Sequence, residues 1–432
     1  MKGIHYPPAI AAYLRKRAVL EPWRIEGHPG RTFRAAVVIP SLAEKDNLPH
    51  TLHSLAANPP ALLAQTMILV VVNQREDASV AEQADNRATL ESLPRWKLEY
   101  GLGNLYWVDA ASADKELPPK QGVGLSRKIG LDLALAHMDH GVGDPLLICL
   151  DADTLVQSDY LGAIFNHFAV NSAGGASIPY CHRSAVDPQG QAAIERYELF
   201  LRVYVLGLEL AGSPYAFHSV GSAMACRASA YAAGGGMNRR LAGEDFYFLQ
   251  QLHKTAGVAS LSGTIVHPSP RSSRRVPFGT GRAVGDMLSA GEGRLLFYQP
   301  QLFEILGEWL DCVKQHDGAY SSELLCRAGR ISPWLREYLE QAGFGEAWDN
   351  LLRHNPDRIR LQAAFHAWFD AFRTMRFMHH LSDSAYPRIA PQEAVPALLQ
   401  RAGSEAPPSV SGLLECLRGL QGVSTLPPCF FQ

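Results

Sequence analysis

Four short apolar segments in the first 150 residues are separated by segments with helical periodicity. The apolar segments are AAVVIP (35–40), MILVVVN (67–73), LYWVDA (105–110) and LLICLDAD (146–153). Their apolar residues are continuous rather than alternating, which is typical of strands buried on both faces of a parallel sheet. Between them, leucine or isoleucine recurs on one helical face at 48–55 and again at 125–133. This alternation predicts an α/β fold with a mostly parallel, doubly wound sheet.

The composition excludes several classes of protein. The chain has 40 Lys and Arg against 42 Asp and Glu, so no net charge attracts it to nucleic acid, and no nucleic-acid partner is expected. Its seven cysteines contain no CxxC pair, which argues against a disulfide framework or a zinc cluster. The N-terminus lacks the apolar core of a signal peptide, and charged residues interrupt the longest apolar segment, at 197–217. We therefore expect a cytoplasmic protein, and contact with a membrane surface is left open.

Polar residues follow each predicted strand. Pro40 ends the segment at 35–40, and Ser41 and Glu44 follow it. Asn73 ends the segment at 67–73, and Asp77 follows it. Asp109 lies at the end of the segment at 105–110, and Asp151 and Asp153 lie at the end of the segment at 146–153. In open parallel sheets, ligands bind beyond the carboxyl ends of the strands. The sequence thus predicts a ligand site at this edge.

Asp151 and Asp153 are the most informative of these acids. In an extended chain they point to the same side, and two carboxylates that close repel each other unless a cation lies between them or one is protonated. Mg²⁺ and Mn²⁺ prefer oxygen ligands and share their coordination shell with substrate phosphates. A diphosphate-bearing ligand would fit such a site. The alternative is that Asp151 ends a strand while Asp153 and Thr154 begin a turn or cap a helix.

Five segments in this order resemble the family 2 glycosyltransferases and related nucleotide-sugar enzymes with the GT-A fold. The segments are VVIPSLAEKDNLPHTLHSL, ILVVVNQREDAS, GVGLSRKIGLDLAL, LICLDADTLVQSDYL and GSAMACRASAYAAGGGMNRRLAGEDFYFLQQL. The resemblance implies a glycosyltransferase domain over residues 34–285. Residues 1–33 precede this domain as an N-terminal extension. Helical patterns in residues 286–432 predict an α-helical C-terminal appendage.

The resemblance also implies which residues bind the nucleotide sugar. Those carried over by position are Pro40, Ser41, Leu42, Glu44, Asn73, Asp77, Lys120, Arg127, Asp151, Ala152, Asp153 and Arg271. Glu44 corresponds to a contact with the ribose or base. Where the family usually has an aspartate that reads the base, this chain has Asn73, so the base is not identified.

Asp151-Ala152-Asp153 matches the DXD motif of the family, in which the second acid binds the metal directly. The resemblance implies a third metal ligand at His267, within a Ser, Gly, Pro and Arg-rich segment that includes Arg271, Arg274, Arg275 and Arg282. Such a segment is predicted to close over the diphosphate. The expected cofactor is Mn²⁺ or Mg²⁺.

Glu244 and Asp245 match the Glu-Asp signature of the family. The implied roles are general base for Asp245, which takes a proton from the acceptor hydroxyl, and orientation of the acceptor or the base for Glu244. The alternative is structural, since acids in the first turn of a helix are favoured by the helix dipole.

The sequence therefore predicts a metal-dependent glycosyltransferase. It would move a sugar from a nucleoside-diphosphate-sugar donor to the hydroxyl of an unidentified acceptor, whether a small molecule, a glycan or a lipid-linked group. The alternatives are a sugar-1-phosphate nucleotidyltransferase and a catalytically silent nucleotide-sugar-binding scaffold. Homo-oligomer formation and peripheral membrane contact are left open.

Overall fold

The strands predicted from the apolar segments lie at the centre of one large sheet. The computed structural model describes residues 5–27, 29–272, 279–291, 294–316 and 318–423. The strands in these residues are β1 (Ile25–Glu26), β2 (Ala35–Ser41), β3 (Thr66–Asn73), β4 (Leu105–Ala110), β5 (Leu146–Cys149), β6 (Leu155–Val156), β7 (Gly175–Ser177), β8 (Met224–Arg227), β9 (Val258–Ser260) and β10 (Val266–His267).

Helices make up most of the remaining described chain. They are α1 (Pro8–Lys16), α2 (Leu48–Ala56), α3 (Pro60–Leu63), α4 (Val80–Glu99), α5 (Val123–Leu135), α6 (Tyr160–Val170), α7 (Pro188–Leu210), α8 (Ala228–Ala233), α9 (Glu244–Ala256), α10 (Thr280–Ala290), α11 (Pro300–Lys314), α12 (Ser321–Ile331), α13 (Pro333–Gln341), α14 (Phe344–His354), α15 (Arg358–Trp368), α16 (Ala371–Ser384), α17 (Pro391–Arg401) and α18 (Val410–Leu420). None of the described helices is long and apolar enough to cross a membrane.

The large sheet has eight strands in the order β1-β4-β3-β2-β5-β8-β7-β9. The four predicted strands, β4, β3, β2 and β5, are adjacent and mutually parallel. Every residue of β2 and β3 is buried, as expected for strands covered on both faces. Strand β8 is antiparallel to both β5 and β7, and β1 is antiparallel to β4. The predicted class, an α/β fold with a mostly parallel sheet and a helical C-terminal region, is confirmed.

Helix α5 packs closely on the centre of the sheet because position 130 is a glycine. A Cβ atom at Gly130 would overlap the side chain of Val38 in β2 and lie 2.9 Å from Cγ2 of Val71 in β3. Without that atom the helix backbone can approach the sheet closely. This packing sets the distance from the sheet of the neighbouring residues of α5, among them Arg127.

The described chain divides into two units. The sheet unit holds the chain up to Val186 together with Ser219–Arg282, and the helical unit holds Asp187–His218 together with the chain from Ala283 onward. This division differs from the predicted boundaries at 33/34 and 285/286. Helix α1 belongs to the sheet unit, where the Tyr13 hydroxyl donates a 2.7 Å hydrogen bond to the buried Asp132.

Helix α7 belongs to the helical unit rather than to the domain predicted at 34–285. The helix buries apolar residues, including Leu199, Val203 and Leu206, in the same core as Phe303 and Trp309 of α11. A Cβ atom at Gly207 would overlap the ring of Phe303, so this glycine permits the close contact between the two helices. The apolar surface of α7 is thus buried by helices that follow almost a hundred residues later in the chain.

Candidate active site

The site lies at the carboxyl edge of the parallel strands in the sheet unit. Strands β3, β2 and β5 are neighbours and parallel, so the residues that follow them emerge at one edge. The predicted polar residues after these strands therefore lie along the same edge, as the strand order requires.

The end of β2 and the start of the loop that follows it are largely buried, and a hydrogen bond to α4 holds the loop. Ser41 is fully buried, and its hydroxyl oxygen has no hydrogen-bond partner among the described residues. Pro40 is also buried, and Leu42 is half-buried. Ala43 has a positive φ of 52°, and its N–H donates a 2.8 Å hydrogen bond to Oδ1 of Asn86 in α4. This contact sets the conformation of the loop just before Glu44.

Glu44 is only 6% exposed although it lies in a loop. Its Oε2 accepts a 2.8 Å hydrogen bond from Nδ2 of Asn47, and its Oε1 accepts one from Arg271. A carboxylate held by two donors at the sheet edge is ordered before any ligand arrives.

Asn73 and Asp77 are placed differently from one another. Asn73 is buried at the end of β3, and its Nδ2 donates to the main-chain oxygens of Ser41 and Val71, both at 3.1 Å. The amide group therefore ties the ends of β2 and β3 together. The Asp77 side chain is 70% exposed and pairs with Arg75 at 2.8 Å. The two residues thus differ in exposure and have different partners.

Asp151 and Asp153 follow β5, and each carboxylate contacts an arginine. Asp151, whose side chain is 34% exposed, accepts a hydrogen bond from Arg127. Asp153, whose side chain is 21% exposed, accepts one at 2.9 Å from Nε of Arg271. The backbone between them is anchored, because the oxygen of the buried Ala152 accepts a 2.8 Å hydrogen bond from Thr51. The predicted turn after β5 thus presents two acids side by side.

Arg127 lies inside the protein and joins two of the predicted site residues. It is 2% exposed, and its guanidinium donates to both Asp151 and Glu244. Space for the guanidinium exists because residue 221 is a glycine, where a Cβ atom would lie 2.5 Å from Nη2 of Arg127. Sequence reasoning placed Arg127 against the nucleotide. The structure instead gives its guanidinium two carboxylate partners in the interior.

Glu244 and Asp245 are the first two residues of α9, so both lie in the first turn of a helix. Gly243 before them has a φ of 69°, a left-handed conformation that favours glycine. Glu244 is 4% exposed and pairs with Arg127, while Asp245 is half-buried and accepts a 2.8 Å hydrogen bond from the N–H of Phe246. Glu244 therefore has a specific contact with Arg127, whereas the hydrogen bond of Asp245 is to an N–H in the first turn of its own helix.

The environment disfavours the charged forms of two acids. Burial raises the pKa of Asp151, and the negative charge of Asp153 adds to the rise while Arg127 opposes it. Burial also raises the pKa of Asp245, with Arg127 opposing the rise and Asp151 adding to it. A carboxylate with a raised pKa is a stronger base, and such groups are frequent in active sites.

The predicted three-ligand metal site is not assembled. No group of three or more His, Cys, Asp or Glu within the described residues is arranged to hold a metal ion. His267 is buried in β10, and its Nδ1 lies 3.2 Å from the main-chain oxygen of Cys181. Asp151 and Asp153 still fit a hard divalent cation, because Mg²⁺ sites commonly use one or two carboxylates with water and phosphate oxygens.

The remaining predicted cations occupy different surroundings. Lys120 is exposed just before α5 and has a φ of 62°. Arg271 contacts both Asp153 and Glu44. Arg274 and Arg275 of the predicted closing segment lie outside the described residues.

Sequence reasoning missed Arg183. Its Nη2 donates a 3.0 Å hydrogen bond to the main-chain oxygen of Asp153. The residue follows β7 in the segment PYCHRSA, where no spacing or periodicity distinguishes it from an ordinary surface arginine. Its location could be found only from the tertiary structure.

No protein-family model matches the sequence, and no curated protein matches it either. The chain is similar to S. aureus TarS in complex with UDP-GlcNAc, with 13% identity, a TM-score of 0.39, and coverage of 79% of this chain and 92% of that one. It is similar to the mannosyltransferase PcManGT from Pyrobaculum calidifontis in complex with GDP-Man and Mn²⁺, with 16% identity, a TM-score of 0.39, and coverage of 84% and 93%. It is also similar to glucosyl-3-phosphoglycerate synthase from Mycobacterium tuberculosis in complex with UDP, with 14% identity, a TM-score of 0.34, and coverage of 70% and 84%. Similarity at this level leaves the function to be inferred from the residues of the site.

Proposed function

We propose that this chain is a metal-dependent glycosyltransferase of the family 2 type, which moves a sugar from a nucleoside-diphosphate-sugar to an acceptor hydroxyl. One observation carries the proposal. The buried guanidinium of Arg127 joins Asp151, beside the predicted donor site, to Glu244, beside the predicted base Asp245. Acids for donor binding and for proton transfer thus belong to one connected cluster.

In this proposal the donor lies along the carboxyl edge of β3, β2 and β5. Glu44 is the proposed ribose contact, and the buried Pro40 and Ser41 support its loop. Asn73 shapes the edge through its contacts with Ser41 and Val71. Asp77, Lys120 and Ala152 are proposed at the periphery of the nucleotide.

Asp245 is the proposed general base. It takes the proton of the acceptor hydroxyl, the hydroxyl oxygen bonds to the anomeric carbon, and the bond from that carbon to the diphosphate oxygen breaks with its electron pair. The pKa of Asp245 is raised by burial, which strengthens it for this task. Glu244, held by Arg127, orients the N-terminus of α9 on which Asp245 lies.

Asp153 is the proposed direct metal ligand, with Asp151 beside it. A bound Mn²⁺ or Mg²⁺ would neutralise the charge that develops on the departing diphosphate. His267 would join only if its surroundings rearranged, because it does not form a three-ligand group with the two acids in this structure.

The test is turnover of UDP-, GDP-, CDP- and dTDP-hexoses in the presence of Mn²⁺, measured as release of the nucleoside diphosphate. Asp245→Asn should slow turnover by about 10²–10⁴-fold, the usual contribution of a general base, and leave nucleotide affinity unchanged. Asp46→Asn is the matched control, because Asp46 is exposed in the loop that carries Glu44.

The two alternatives give different results in the same assay. Release of pyrophosphate from a nucleoside triphosphate and a sugar 1-phosphate would favour a nucleotidyltransferase. Nucleotide binding without turnover of any donor would favour a silent scaffold.

A cytoplasmic location is proposed with the function, and it is supported by the six described cysteines, all of which are free thiols.

A further inference from the structure

Arg271 connects two loops at the sheet edge through their carboxylates. Its Nε lies 2.9 Å from Oδ2 of Asp153, in the loop after β5, and its Nη2 donates to Oε1 of Glu44, in the loop after β2. Residues 44 and 271 are far apart in sequence, so this is a tertiary contact that local chain geometry does not impose. A single guanidinium therefore neutralises an acid on each loop.

The same two acids are the ones that the proposed function assigns to donor binding. Asp153 is the proposed metal ligand, and Glu44 is the proposed ribose contact. A carboxylate oxygen that accepts a hydrogen bond from a guanidinium in this geometry cannot also bind a divalent cation along the same direction. Occupation of Asp153 by Arg271 and occupation by a metal ion are thus competing states.

The contact is built so that it can be exchanged. The side chain of Arg271 is 33% exposed, whereas that of Arg127 is 3% exposed. An ion pair that is open to water contributes little net free energy, so the contact of Arg271 with the partly exposed Asp153 can be broken at low cost. Glu44 is meanwhile only 7% exposed in its side chain, so loss of its cationic partner without a replacement would leave a largely buried carboxylate uncompensated.

We propose that Arg271 is an internal counter-cation that holds Asp153 and Glu44 before the donor binds, and that it must be displaced for a divalent cation to reach Asp153. The inference rests on the proposed function for the identity of the metal site. It adds that metal ion alone binds weakly to the free protein, since Arg271 opposes it. Metal and nucleotide together are needed to displace the guanidinium.

The test is a titration of the free protein with Mn²⁺ alone, in which unbound Mn²⁺ is measured by electron paramagnetic resonance. Arg271→Gln should bind Mn²⁺ at least about tenfold more tightly than the wild type, because a full positive charge leaves the ligand oxygen. Arg271→Lys keeps the charge and should stay close to the wild type. Asp153→Ala combined with Arg271→Gln should lose the gain, which locates the tighter site at Asp153.

Arg183→Gln is the matched control. This substitution removes a positive charge beside Asp153, but Arg183 contacts the main-chain oxygen and leaves the carboxylate unaltered. Its Mn²⁺ affinity should rise by less than that of Arg271→Gln, because the Asp153 carboxylate keeps its contact with Arg271. Circular dichroism of each variant establishes that the fold is retained.

Equal Mn²⁺ affinities of the Arg271→Gln variant and either the wild type or the Arg183→Gln variant would overturn the inference. An Arg271→Gln variant that binds no Mn²⁺ would also overturn it. Failure of the proposed function is a separate result, namely absence of donor turnover by the wild type. Turnover with an unchanged Mn²⁺ affinity in Arg271→Gln rejects only the role of Arg271.

Discussion

At the scale of single residues, Arg127 governs the electrostatics of the site. Burial by itself would lower the pKa of Arg127, but the negative charges of Asp151 and Asp245 outweigh burial and raise it. The guanidinium therefore stays charged in the interior, where it compensates the buried Glu244 and the partly exposed Asp151. Removing one partner of such a buried pair leaves an uncompensated charge.

Arg127→Met is expected to lower the free energy of unfolding by about 3–5 kcal/mol, the usual cost of breaking a buried ion pair. Urea denaturation followed by circular dichroism measures this loss. Arg75→Met is the control, because Arg75 pairs with the exposed Asp77 and should contribute less than about 1 kcal/mol. Equal losses in the two variants would contradict the importance given to Arg127.

The pH dependence of turnover follows from the pKa of Asp245. A general base must be deprotonated, and burial raises this pKa above its ordinary value of 3.8, so kcat/KM should fall as the pH decreases through a midpoint above 3.8. Asp151→Asn removes a negative charge that raises the pKa of Asp245, so it should move this acidic limb to lower pH. An acidic limb that does not move would show that the two acids titrate independently.

The acids of the site could be predicted from sequence, and their partners could not. Glu44, Asp151 and Asp153 follow strands whose order in a parallel sheet places them at one edge. Arg127 and Arg271 pair with acids up to 227 residues away in the chain. No local pattern encodes such a contact, and an interior arginine has the same sequence signature as a solvated one.

At the scale of helices and strands, the predictions were accurate where the apolar pattern was long. The segments 35–40, 67–73 and 105–110 correspond to β2, β3 and β4, and the helical faces at 48–55 and 125–133 correspond to α2 and α5. The segment 146–153 contains β5, which ends at Cys149 where the backbone turns to present the two acids. Strands β7 and β8, with the sequences GAS and MACR, contain few large apolar residues, so no apolar segment marks them.

The contact between α7 and α11 depends on the absence of a side chain at Gly207. Gly207→Ala should destabilise the helical unit by about 1–3 kcal/mol, because the added methyl group would overlap the ring of Phe303. Gly419→Ala in α18 is the matched control, because its added methyl group meets nothing within 4 Å and alanine favours a helix by up to about 1 kcal/mol. Thermal unfolding of both variants measures the effects, and the same sign for both would contradict this account of the contact.

At the scale of the whole molecule, the division into units could not be read from the sequence. Residues 187–218 leave the sheet unit and join helices that follow residue 283. Two of the charges that interrupt the apolar pattern of α7, Glu198 and Arg202, are buried in the helical unit, where Glu198 lies 2.9 Å from Arg202 and 2.8 Å from Arg418. These partners become visible only when both chain segments are folded together.

The central claim is that a nucleoside diphosphate and a divalent cation bind together at Asp153. The most direct measurement is a thermal-shift panel of UDP, GDP, CDP and dTDP, each with Mn²⁺ or with EDTA, on the wild type and on Asp153→Ala. A ligand at about 100 times its Kd adds about 2.7 kcal/mol, which raises Tm by several degrees for a unit of this size. The account predicts a shift with one nucleotide that requires both Mn²⁺ and Asp153. A shift that persists in EDTA or in Asp153→Ala, or no shift with any nucleotide, would contradict it.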